Sequence, residues 1–193
     1  MKYYIPKLMI AASLVWMTFY LTSCFFGSSS GASSSPSNSF SRNLSLEGVS
    51  FQVNSSYGQV TIRPSGLQDN RTIERQIDGV VKNAEIWDLN NDGAPELLLY
   101  TSSGNNQRGD VIAYTCYGRS SVGEIYVPEL DYQASRGYEG YDTYGITDGW
   151  LVRTFPVYQN GNRTGATREI KYRLVNGENS RVFRIESVND FYN

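Results

Sequence analysis

Beyond residue 43, hydrophobic and polar side chains alternate over short stretches along most of the chain. Leu44 and Leu46, then Val49, Phe51 and Val53, keep a two-residue period, and Val60 and Ile62 repeat it before Pro64. That period sends alternate side chains to opposite faces, so it predicts half-buried strands. Residues 80–89, 111–117 and 123–127 predict further strands. Leu97, Leu98, Leu99 and Tyr100 form a continuous apolar run that fits a central strand covered on both sides. Asp148-Gly149, between Ile146 and residues 151–155, is a hairpin signal, because this pair accepts the left-handed backbone of a two-residue turn. A second hairpin is expected where residues 176–179 (Asn-Gly-Glu-Asn) separate two apolar runs at 170–175 and 182–185. Only residues 72–77 and 128–135 read as short helices. The expected fold is mainly β, a single antiparallel sandwich- or barrel-like domain with one or two short helices.

The first residues follow a different pattern. Lys2 and Lys7 precede an apolar run over residues 8–21, which ends in Leu21-Thr22-Ser23-Cys24. A basic start, an apolar core and a small-residue boundary make a secretory signal peptide over residues 1–23. Its ending resembles the lipobox of bacterial lipoproteins. That resemblance implies cleavage before Cys24 and acylation of its thiol and new amine, each buried CH₂ contributing about 0.8 kcal/mol of membrane affinity. Phe25 follows the cysteine where an aspartate would retain the protein in the inner membrane. The resemblance therefore implies an outer-membrane lipoprotein, facing the periplasm or the surface.

Residues 27–39 hold eight serines among thirteen residues. Such a segment cannot bury enough apolar surface to offset its ordering entropy. Residues 24–43 are therefore expected to form a lipidated tether, and residues 44–193 one binding domain. If Cys24 is acylated, Cys116 is left as a lone thiol inside an apolar run, with no disulfide partner.

Composition removes several functions. The chain has no histidine, which excludes Ser–His–Asp and Cys–His nucleophile systems and histidine zinc sites. Loss of Lys2 and Lys7 leaves 15 basic and 19 acidic side chains, without a long block of either sign. Nucleic acid is not an expected partner. A carboxylate pair such as Glu139 with Asp142, or Glu129 with Asp131, would suffice for glycoside hydrolysis, but no catalytic motif frames either. The chain is expected to be a non-catalytic binder.

One motif carries chemistry. Residues 88–96 read DLNNDGAPE, of the form DxNxDGxxE, with oxygen-bearing side chains at alternate positions. Spacing of this kind resembles the first half of an EF-hand loop and the aspartate-rich turns of integrin-type propellers. It offers calcium the oxygens of Asp88, Asn90, Asp92 and Glu96 and the carbonyl of Ala94. Gly93 is placed to supply a positive φ. The position of the terminal bidentate glutamate holds Leu99. A metal-free Asx turn is the competing expectation.

Residues 87–104, WDLNNDGAPELLLYTSSG, resemble the loop, strand and serine–glycine turn of periplasmic inhibitors of invertebrate-type lysozyme and of related envelope lipoproteins. The stretch from GYEGYD (137–142) through residues 149–158 to residues 164–174 is similar to the C-terminal half of the latter. This resemblance implies a protein that binds a lysozyme-like hydrolase through an SGxxY loop. Here that loop reads Ser103-Gly104-Asn105-Asn106-Gln107, with glutamine in place of the tyrosine. Tyr126, Tyr132, Tyr138, Tyr141, Tyr144 and Trp150 crowd a segment that is acidic from residue 124 to 148, so Tyr138, Tyr141, Tyr144 and Trp150 join Ser103 and Gly104 as candidate contacts for a cationic protein or a cell-wall glycan. The rival expectation is a calcium-stabilised carbohydrate- or peptidoglycan-binding envelope module.

Overall fold

Glu47-Gly48, Tyr57-Gly58, Asp148-Gly149 and Asn160-Gly161 each place two consecutive residues at positive φ. Each pair closes a two-residue turn, since Leu46 pairs with Val49, Ser56 with Gln59, Thr147 with Trp150 and Gln159 with Asn162. These are the backbone conditions of the tight antiparallel hairpin. They organise the region that the computed structural model describes, residues 38–192.

The strands are β1 (Phe40–Leu46), β2 (Val49–Ser56), β3 (Gln59–Ser65), β4 (Ile73–Gln76), β5 (Val80–Trp87), β6 (Glu96–Ser103), β7 (Arg108–Tyr117), β8 (Ser121–Ile125), β9 (Thr143–Thr147), β10 (Trp150–Gln159), β11 (Asn162–Asn176) and β12 (Arg181–Tyr192). They form three four-stranded antiparallel meanders: an N-terminal sheet β1–β4, a middle sheet β5–β8 and a C-terminal sheet β9–β12. Within each sheet consecutive strands are neighbours, so no sheet needs a crossover.

The middle sheet is covered on both faces. Leu97, Leu99, Ile112, Tyr114 and Cys116 pack with Val49, Phe51, Val53, Val60 and Ile62 of the N-terminal sheet. Leu98, Tyr100, Val111 and Ala113 pack with Leu151, Phe155, Ile170, Tyr172 and Phe183 of the C-terminal sheet. Alternate residues of one strand therefore serve two cores, which is why β6 and β7 read as unbroken apolar runs. Leu98 and Leu99 are both fully buried, and truncating either to alanine is worth about 2–5 kcal/mol. A parallel bridge sets Tyr126, just after β8, beside Val182 of β12: Tyr126 N–H donates to the Arg181 carbonyl at 3.1 Å, and the Tyr126 carbonyl accepts Phe183 N–H at 2.8 Å.

The three antiparallel sheets bear out the expected mainly β, sandwich-like domain. Several finer expectations need correction. Residues 44–53 are two strands, because Glu47-Gly48 reverses the chain inside the apparently continuous alternation. The first strand starts at Phe40 and not at Leu44. Neither expected helix exists, and there is none among the described residues. Residues 73–76 form β4, whose Thr61–Glu74 and Ile62–Ile73 pairs extend the N-terminal sheet. Residues 128–135 hold only turns: Asp131 caps the Ala134 amide at 2.8 Å, while the Arg168 guanidinium binds the carbonyls of Gln133, Ala134 and Arg136 at 2.8–3.2 Å. Carbonyls held by a distant arginine are not available for a continued helix. The second hairpin turns at residues 177–180, closed by Gly177 N–H donating to Ser180 at 2.8 Å.

Candidate functional site

The DxNxDGxxE loop joins β5 to β6, and two left-handed residues, Asn91 and Gly93, fold it tightly. Asp88 accepts the amides of Asp92 and Gly93 at 3.1 and 2.9 Å, Asn90 accepts Asp92 N–H at 3.0 Å, and Asp92 accepts Ala94 N–H at 2.9 Å. The remaining oxygen of Asp92 receives the guanidinium of Arg181 from β12. A second nitrogen of the same guanidinium lies 3.0 Å from Glu96, whose side chain is fully buried. Glu96 also accepts the Thr115 hydroxyl at 2.7 Å and the Leu89 amide at 2.8 Å. Burial pushes its carboxyl up to about 6, against the pull of Thr115, Leu89 and Arg181. Arg181 lies over the Tyr117 ring, 5.7 Å from its centroid.

The loop thus has a cation, and it is a side chain from the other end of the domain. Asp92 and Glu96 turn to Arg181, and Asp88 and Asn90 turn to backbone amides. Among the described residues, no three acidic, cysteine or histidine side chains gather closely enough to hold a metal ion. Ala94 is buried beneath the loop. Cys116 is a buried free thiol, its pKa pushed up to about 11 by burial. Cys24 and the lipobox lie outside the described residues.

The partner candidates meet at the far end of the middle sheet. The β6–β7 turn starts after Ser103, with Gly104 at positive φ and Gln107 N–H donating to Gly104 at 3.2 Å. It docks against residues 139–142. Asn106 accepts the Tyr141 amide at 2.7 Å and donates its own amide to the Glu139 carbonyl at 3.1 Å. Gly140 permits this contact, because a Cβ there would stand 2.4 Å from the Asn106 carbonyl.

Asp142 anchors the junction. Its side chain is fully buried and accepts Gly109 N–H at 2.9 Å, Tyr138 O–H at 2.6 Å and Arg153 Nε at 2.6 Å. Arg153 lies against the rings of Tyr138, Tyr144 and Phe155, 4.9–5.5 Å from their centroids. Burial, together with the bond to Asp142, pushes the Tyr138 phenol up to about 12. Tyr144 stacks on Tyr100 at 6.0 Å. Tyr138 and Tyr144 thus serve mainly as walls around Arg153, whereas Tyr141 stays 41% exposed at the tip. Trp150 is not part of this cluster. It alternates with buried Leu151, so it faces outward on the C-terminal sheet, with the Arg173 guanidinium stacked on it at 4.8 Å.

Beside the tip is a cavity of about 360 Å³ lined by Thr101, Ser103, Arg108 and Tyr138 of this end and by Arg75 and Asp78 at the end of β4. Sequence reasoning passed over Arg153 and Arg181, which have no motif around them. It weighed Asp142 as a catalytic acid, whereas its three partners make it a structural anchor. The chain matches no protein-family model, no curated protein and no solved structure.

Proposed function

We propose that this protein is a non-catalytic binding module of the bacterial envelope, anchored to the outer membrane through acylated Cys24, that engages a lysozyme-like hydrolase through the tip formed by residues 103–108 and 137–142. The observation that carries this reading is the joining of the two candidate segments into one surface through Asn106 and Asp142. A loop held in its bound shape before contact loses less entropy on binding, so a small aromatic and polar tip suffices. Exposed Tyr141, three residues from Tyr138, offers the aromatic anchor that Gln107 does not. Asp142, fully buried and holding three donors, is closed to a substrate, which favours binding over acid–base work at this residue.

The test is turnover of wall fragments by invertebrate-, chicken- and goose-type lysozymes with the purified protein added. Stoichiometric inhibition of one type is expected, weakened at least about tenfold by Tyr141→Ala and unaffected by Glu178→Ala, at an exposed position in the β11–β12 turn at the opposite end of the C-terminal sheet. Full lysozyme activity in all three assays refutes the hydrolase partner.

A further inference from the structure

A larger groove adjoins the tip, whose Gly137 forms part of its lining. It encloses about 960 Å³ between the C-terminal sheet and the turn at residues 131–137, at the upper end of the range for small-molecule sites. Its wall is built and not incidental. Arg168 is nine-tenths buried, binds Asp190 through two nitrogens at 2.7 and 2.8 Å, and holds three carbonyls of the turn. This fixes the turn against the sheet and keeps the groove open. The floor is small and aliphatic, formed by Val157, Ala166 and Val188.

Tyr192 on β12 borders that floor, since it pairs with Ala166 and shares its face. Tyr158 on β10 follows Val157 in the strand, so its ring turns to the opposite face. Tyr192 is 77% exposed and Tyr158 is half-buried against Tyr141. Gln133 and Gln159 also line the groove with exposed amides, and among the described residues neither side chain has a hydrogen-bond partner. The ionisable lining consists of two acids, Asp131 and Asp190, and two arginines, Arg136 and Arg168.

We infer that this groove binds a short neutral saccharide chain. The Tyr192 face matches the apolar C–H face of a pyranose ring, and free amides match hydroxyl groups, each able to donate and accept. Equal numbers of the two charges give a polyanion no advantage. The inference stands independently of the hydrolase reading.

The test is calorimetric titration of the purified full-length lipoprotein in detergent with cellotetraose and with the N-acetylglucosamine tetramer. Saturable one-to-one binding of at least one is expected. Tyr192→Ala and Gln133→Ala, both at exposed positions, should each weaken it about tenfold or more, while Tyr57→Ala leaves it unchanged. No heat with either sugar at millimolar concentration overturns the inference. Binding that Tyr192→Ala and Gln133→Ala leave intact overturns it equally. Retained lysozyme inhibition in Tyr192→Ala would separate failure of the groove from failure of the tip.

Discussion

Glu96 and Asp142 are carboxylates with fully buried side chains, and each faces an arginine at 3.0 and 2.6 Å respectively. Their surroundings differ. Glu96 lies at the junction of the middle and C-terminal sheets, and a hydroxyl and an amide already serve its oxygens before Arg181 arrives. Arg181 itself is shared with Asp92. At Asp142 the arginine is caged by three rings, and Asp142 is its one ion-pair partner among the described residues. The first cluster is a loop closure whose cation could be exchanged. The second is a mutual enclosure in which neither member can be spared. A buried pair adds little over a well-packed apolar substitute, but breaking one leaves an uncompensated charge.

The largest effect should come from breaking the enclosed pair. Arg153→Ala is expected to lose about 3–5 kcal/mol at neutral pH, because Asp142 stays buried and three aromatic rings lose the group they pack on. Arg181→Ala should lose less, about 2 kcal/mol, since Glu96 keeps two donors and can take up a proton. Urea unfolding of both variants at pH 7.5 checks the order. Equal losses, or a greater one for Arg181→Ala, would break the comparison.

The next effect is a pH dependence belonging to the junction. Desolvation holds the Glu96 carboxyl at about 6 in the fold, above its ordinary 4.5. Below pH 4.5 both the folded and the unfolded chain carry this proton, and the contribution to stability is complete. As pH rises, the unfolded chain releases it first, so stability falls through the window from 4.5 to 6. The drop is about 2 kcal/mol by pH 7. Glu96→Gln, which cannot titrate, should flatten that part of the profile in unfolding curves taken between pH 4 and 7. An unchanged slope would show that another group titrates there.

The same two clusters show how much a sequence discloses. The DxNxDGxxE loop was legible because its acids and its glycine are contiguous, and local hydrogen bonds of Asp and Asn need only short spacing. Its cation was not, since Arg181 is 85 residues from Glu96 and one arginine in β12 looks like another. The Asp142–Arg153 pair, eleven residues apart on either side of the β9–β10 hairpin, depends on register, which alternation alone does not give. Strands were readable where their apolar period was unbroken. Glu47-Gly48 and Tyr57-Gly58 were missed because glutamate and tyrosine are unusual first residues for their turn, and the meander's spacing carried them. The residues 128–135 looked helical by composition, and only the distant Arg168 explains why they are not.

The smallest effect sharpens the comparison most. With Arg181 bound to Asp92 and Glu96, a guanidinium already supplies the positive charge these acids face, and the native protein should melt at the same temperature in chelator and in millimolar calcium. Arg181→Ala frees one oxygen of Asp92 and removes the cation beside Glu96, while leaving the turn formed by Asp88 and Asn90. A loop of this spacing then resembles a weak extracellular calcium site, and calcium at about twice its dissociation constant would restore roughly 0.6 kcal/mol. Arg153→Ala, with a single carboxylate in an aromatic cage, should regain nothing. The readout is the melting temperature of the three proteins with calcium and with chelator. Calcium stabilisation of the native protein would mean that the guanidinium yields to the metal, and that the loop closes around either cation.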